Sequence, residues 1–270
     1  MTHTLVALAA ALGLAAGAWA QKPVKPPAPK SQSEMVALMA VQNAPDADSR
    51  LKAIQELLSK FADTEFREFA LQMETISHQQ KDDFDKMLIA GERTLEVNPD
   101  NVVVLITLAQ SIPQRTREHD LDKDEKLGKA EKFAKRAQVQ LPVLEKFNPQ
   151  ITDEEWAGYR KAAMSQTHES LGMIAFVRKD YAAAEKSFQA AVEVSPQVDP
   201  TLLYRLAMVY ATQNRHDEAI AALDKAIAAG GVKVGDKDLA AEQKAASMKA
   251  KAGAKPPAPA TPPQVDIKRP

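Results

Sequence analysis

Leu171, Gly172, Ala184, Phe188 and Ala191 are answered 35 residues later by Leu206, Ala207, Ala219, Leu223 and Ala226, with Gly231 following Pro196 and Tyr210 following Ala175. The chain repeats itself. A unit of about 34 residues is one helix-turn-helix that cannot bury its own apolar side alone, so neighbouring copies must stack. This one relation fixes an extended stack of helix pairs and predicts a binding surface instead of a reaction centre.

The small residues explain the spacing. Gly172 or Ala207 on the first helix of a pair is expected to face Ala184 or Ala219 on the second, where a larger side chain would hold the axes apart. Phe188 and Leu223, one turn on, fill the groove between neighbours, and Ala191 and Ala226 continue that side at the i+3/i+4 spacing of a helix. Pro196 stops the helix. This pattern resembles the tetratricopeptide repeat, whose usual tryptophan and first-helix tyrosine are replaced in the 165–198 copy by His168 and Ala175; the 200–230 copy has Leu203 and keeps Tyr210. The resemblance implies an all-α fold, a right-handed superhelical solenoid of antiparallel helix pairs. It covers 165–228 well and 49–142 weakly.

Composition agrees with helix pairs. Hydrophobic residues make up 45% of the 270, but aromatics only 5%, and alanine carries much of the apolar count. Close helix packing uses such residues better than a sheet does. The β-branched run Val102 to Ile106 sits where the repeat calls for a first helix and is read as helix.

Leu5 to Ala20 is almost wholly apolar and ends in Ala18-Trp19-Ala20, small residues where a signal peptidase needs them, so the mature chain is expected to begin at Gln21 and to be periplasmic or secreted. Met1 to Thr4 lacks the usual Lys or Arg: either the true start lies upstream or the signal is atypical. Sixteen apolar residues fall short of a span of about 20, which favours a cleaved leader over a retained anchor, and no stable membrane span is expected afterwards. The chain has no cysteine, which removes disulfides, thiolate metal sites and cysteine nucleophiles. The formal charge is −1, yet Lys22, Lys25 and Lys30 put +3 on the N-terminal stretch and the last twenty residues carry +3, leaving −7 on the body. An acidic body without basic stripes argues against nucleic-acid binding.

A Pro-rich linker is expected over 21–33, a helical repeat domain over 34–230, a marginal capping helix over 231–251 and a Pro/Ala-rich tail over 252–270. Ser31 to Glu34 and Thr152 to Glu155 have capping-box spacing. Asp199-Pro200 caps the last first helix. The pair over 66–97 has Met87, Gly91 and Thr94 at the signature positions, so looser packing is expected there. Arg115 to Lys123 is a charged insertion into the third pair.

No catalytic or cofactor signature is present, and no enzyme activity, metal or cofactor is expected. No two of His3, His78, His119, His168 and His216 share a helical zinc spacing. His168 reads as a packing residue. Asp120, Asp122, Asp124 and Glu131 match calcium-loop positions 1, 3, 5 and 12, but Glu125 stands where that loop requires glycine, and an acidic helix start is the better reading. The resemblance implies a protein-binding scaffold with a groove lined by first-helix residues, here Gln166, Glu169, Met173, Phe176 and Val177, then Thr201, Tyr204, Met208, Ala211 and Thr212. From these an apolar, methionine-bearing trough for a peptide or protein segment is expected around Met173, Phe176, Tyr204 and Met208, with packing against neighbouring helices as the other reading of Phe176 and Met208. A structural subunit of a cell-envelope assembly is the alternative role.

Overall fold

The computed structural model describes residues 27–146, 148 and 150–253; the leader expected over 1–20 and the tail beyond 253 lie outside the described residues. In chain order come α1 (Gln32–Gln42), α2 (Ala47–Lys60), α3 (Arg67–Gln80), α4 (Phe84–Val97), α5 (Val102–Arg115), α6 (Lys123–Gln140), α7 (Asp153–Val177), α8 (Tyr181–Val194), α9 (Pro200–Thr212), α10 (His216–Ala228), a hairpin of β1 (Lys233–Val234) and β2 (Lys237–Asp238), and α11 (Leu239–Lys251). Successive helices pair from α1/α2 to α9/α10, each pair packs on the next, and α11 lies on α10. The result is an all-α solenoid of helix pairs.

Short polar side chains set the helix starts. Asp46, Asp83, Asn101, Thr152, Asp180, Asp199 and Asp238 each accept a backbone N–H two or three residues on, satisfying donors a helix leaves open. At α7 the capping box is complete: Thr152 Oγ1 accepts Glu155 N–H at 3.2 Å and Glu155 Oε2 accepts Thr152 N–H at 2.9 Å. At α1 it is not. Ser31 caps Glu34 N–H, but the buried Glu34 carboxylate accepts Lys30 N–H and the Thr64 hydroxyl, each at 2.6 Å, instead of returning to Ser31. A carboxylate inside the fold needs more than one donor, and the α2–α3 turn supplies the second.

Three of the five turns within pairs share one geometry. Asp82, Lys179 and Asn214 have φ of 57°, 65° and 60°, and the next N–H reaches back to the carbonyl of His78, Ala175 or Tyr210 at 2.9–3.0 Å. A recurrent ion pair joins the pairs to one another. A basic residue at the end of a first helix meets an acidic one at the start of the preceding second helix in Lys81–Asp48, Arg115–Asp82 and Lys251–Asp217, and Lys179 meets Glu118 of the insertion in the same way. Both partners complement the helix dipoles.

The interior follows the repeat. Ala184, Ala191, Ala207, Ala219, Leu223 and Ala226 are fully buried, Phe188, Leu206 and Tyr210 nearly so, Leu171 half-buried and Pro196 exposed just past the end of α8. Gly172, expected to face Ala184, proves to be matched to Phe188: a Cβ there would stand 2.6 Å from the ring. Gly91 gives the same room to Leu108 of the next pair, with Cδ2 2.8 Å from where its Cβ would be. The looser packing expected there is therefore absent. Met87, Gly91 and Thr94 are all buried, and Thr94 bonds its own hydroxyl to Ala90 O at 2.9 Å. The hairpin had no sequence signal, since two residues per strand are too few to show alternation; Asp238 holds it by accepting Val232 N–H and Ala240 N–H.

Candidate functional site

The first helices share a trench. Along α5, Ile106, Thr107, Gln110, Ser111 and Gln114 fall at helical spacing on one side, and α3 adds Gln79 and Gln80. α7 adds Tyr159, Ala162, Gln166 and Glu169, and α9 adds Thr201 and Arg205, around a cavity of about 850 Å³. A smaller hollow of about 370 Å³ over the Ser195–Asp199 loop shares Ala162, Gln166, Glu169 and Thr201 with it, so the two are continuous. The combined volume suits a segment of chain more than a metabolite.

Its electrostatics are neutral. The four charged residues of the larger cavity form two ion pairs, Arg115 with Asp82 and Arg205 with Glu169. The second is largely buried, the side chains being 17% and 4% exposed, and Gln110 adds an amide 3.4 Å from the same carboxylate. Five glutamines dominate the rest of the polar lining, and each amide can both donate and accept. Gln80 already accepts from Arg50 at 3.0 Å. The Tyr159 ring stacks on Trp156 with centroids 5.0 Å apart, and burial pushes its hydroxyl above the usual tyrosine range.

Of the groove residues expected from sequence, the structure brings Gln166, Glu169 and Thr201 to the trench. It places Met173, Phe176, Tyr204 and Met208 elsewhere. Tyr204 is part of the C-terminal core cluster, and the other three, half-buried, pack against it. For Tyr204 the cause is α11, which touches α9 as well as α10 and brings Leu239 and Ala240 into that cluster, while Phe176 on α7 meets the Tyr181 ring at the start of α8. Burial and the nearby Glu242 carboxylate both raise the Tyr204 hydroxyl pKa. The α5 glutamines were missed because a neutral polar lining and a solvated helix surface use the same residue types; their i, i+4 spacing at 110 and 114 was the available signal.

Other candidates are occupied by local partners. His168 lies with Nδ1 3.4 Å from Gln138 Nε2, and burial lowers its pKa. Asp120 and Asp122 both turn to Lys126, at 3.3 and 2.9 Å, while Glu131 meets Lys135 at 2.6 Å and Arg178 at 2.5 Å. Asp120 and Asp122 share one lysine and Glu131 takes two other cations, and among the described residues no three acidic or histidine side chains converge on a metal position.

Residues 169–232 match the family described as tetratricopeptide repeat. That stretch carries tetratricopeptide repeats. A thermophilic tetratricopeptide-repeat protein of Thermus thermophilus shares its fold at a TM-score of 0.50 and 19% identity, over 79% of this chain and 94% of that one. A MamA RS-1 double mutant is similar at 12% identity and TM-score 0.47, covering 73% of this chain and 94% of its own. So is a tetratricopeptide repeat protein from Parabacteroides merdae ATCC 43184, at 11% identity and TM-score 0.35, over 81% of this chain and all of that one. No curated protein matches the chain. Tetratricopeptide repeats are in general non-catalytic protein-binding scaffolds, and the likeness to the Thermus structure is one of fold alone.

Proposed function

We propose that this tetratricopeptide-repeat chain is an exported, non-catalytic adaptor that holds an extended, uncharged segment of a partner protein along the trench of α3, α5, α7 and α9. The observation that carries the reading is the lining itself: a hollow over four first helices whose larger part is charge-neutral and rich in side-chain amides, the smaller part adding the Asp199 carboxylate that caps α9. Packed helices lie about 8–10 Å apart. A chain in the polyproline II conformation advances about 9 Å per three-residue turn, so each helix meets an equivalent peptide group, and amides can bond main chain of any sequence. A charged partner segment would find the cavity's cations and anions already paired. Export rests on the apolar run Leu5 to Ala20 and its Ala18-Trp19-Ala20 ending.

A photo-crosslinking residue at Ser111, inside the trench, tests the site against the same residue at Ile89, exposed on α4. Capture of a discrete partner from Ser111 and not from Ile89 is expected, and Gln110→Ala with Gln166→Ala should weaken it at unchanged melting temperature. Equal capture from both positions, or capture indifferent to the glutamines, refutes the site. N-terminal sequencing of the mature protein checks export: Gln21 is expected, and a retained Met1 contradicts it.

A further inference from the structure

Two rings interrupt the amides of the trench: Phe84 at the start of α4 and Tyr159 on α7, both half-buried. Tyr159 belongs to the stretch of α7 that precedes the 165–198 copy, so repeat packing does not account for its place. One face of its ring lies on Trp156, 5.0 Å between centroids and 10° between planes, and Trp156 is itself 4% exposed. The buried indole thus holds the phenol ring in one orientation at the wall of the hollow. With the ion pairs of the larger cavity already made, amides and fixed aromatic surface are what it offers a ligand.

We propose that the segment held in the trench is proline-rich, a polyproline II helix with proline rings against Tyr159 and carbonyls on the glutamines; this rests on the trench being the binding site proposed above. Entropy gives the first reason. Ordering one flexible residue costs at least about as much as one neutral hydrogen bond returns. A flexible segment crossing four helices would be ordered over about twelve residues, three for each helix spacing, while meeting chiefly neutral amides, so its binding would not be favourable. Proline sets φ near about −65° before binding and removes much of that cost. The balance of donors gives the second. A proline-rich backbone has few N–H groups, and its carbonyls make no internal bonds in polyproline II. Glutamine amides on α3, α5 and α7 supply the donors it needs. Tyr159 gives the third, because proline-rich segments dock on aromatic surfaces. An uncharged segment of another composition would bond the amides but leave the ring unused and bear the full ordering cost.

Calorimetry on the full chain tests this with two uncharged synthetic peptides of about twelve residues, one alternating proline and alanine, the other glycine and serine. The proline peptide is expected to bind about ten-fold more tightly, as preorganisation requires. Tyr159→Leu, which keeps bulk and loses the aromatic face, should weaken it about five-fold, and Tyr159→Phe should not. A second readout leaves Tyr159 untouched. With Trp19→Phe, Trp156 is the only tryptophan, and its emission should change as the proline peptide reaches the ring stacked on it. Equal affinity for the two peptides, unchanged affinity in Tyr159→Leu, or unchanged Trp156 emission overturns the proline assignment. Capture from Ser111 judges the trench separately. A partner captured there through a proline-poor segment leaves the trench standing and refutes the proline assignment; no capture, with neither peptide bound, refutes both.

Discussion

Gly172 on α7 and Phe188 on α8 are fitted to each other: the ring lies where the glycine's missing Cβ would be, 2.6 Å from it. Phe188 is 1% exposed, within the C-terminal core cluster, and can move aside only by displacing other buried side chains. The bare backbone of one helix thereby sets how closely the pair approaches.

Gly172→Ala should therefore destabilise the protein by about 1–3 kcal/mol through overpacking. Gly158→Ala, in the same helix, should do the opposite, because nothing lies within 4 Å of its Cβ position; a gain of roughly 0.5–1 kcal/mol follows from helix propensity alone. Urea denaturation of the two variants compares them within one helix. A stabilising Gly172→Ala would show that the ring is not fitted as described.

Lys179 pays a conformational cost that Asn214, its equivalent one repeat later, largely avoids. Both have positive φ, at 65° and 60°, but asparagine tolerates that region and lysine does not. Lys179→Gly should raise stability by about 0.5–1 kcal/mol, even with loss of its exposed pair to Glu118, since such pairs contribute little. Asn214→Gly should be close to neutral. Thermal melts that show equal gains at both positions would contradict this account.

Much of the fold was legible because the repeat places small and large residues at fixed offsets, and helix starts carry their own polar caps. Ala184, Ala219, Phe188 and Leu223 were readable from spacing alone, and so was the α7 capping box. The site was less legible, for a physical reason. Which side of a first helix faces the trench depends on what packs against its other side, and α11, outside the repeat, covers the stretch of α9 holding Tyr204 and Met208. The glutamines of α5 offered only their i, i+4 spacing at 110 and 114, which a neutral polar lining and a solvated helix surface share.

The Glu169–Arg205 pair spans the two best-defined repeats beneath the trench. Removing one partner leaves the other charge inside the fold uncompensated, so Glu169→Gln should cost about 3–5 kcal/mol. Glu169→Leu with Arg205→Met should cost less than the single change, since no charge is then stranded. A double variant as unstable as Glu169→Gln, by urea titration, would show that the pair contributes through packing and not through its charges.

Acid should destabilise the fold in two stages, and the sign follows from which state binds more protons. Burial holds the His168 pKa below its usual 6.5, so as pH falls from there the unfolded chain takes up a proton that the folded one refuses, and stability drops. Glu131 acts lower. Lys135 and Arg178 hold its pKa below the usual 4.5, so the stability it contributes is complete above that value and is lost as pH falls through the lowered one. His168→Gln should flatten the decline in melting temperature that sets in as pH falls below about 6.5, while leaving the steeper loss below about pH 4.5 in place. Glu131→Gln should do the reverse, with the upper stage intact and the lower one reduced. If His168→Gln leaves the upper stage unchanged, the neutral imidazole between α6 and α7 is not its source, and a different histidine must titrate there.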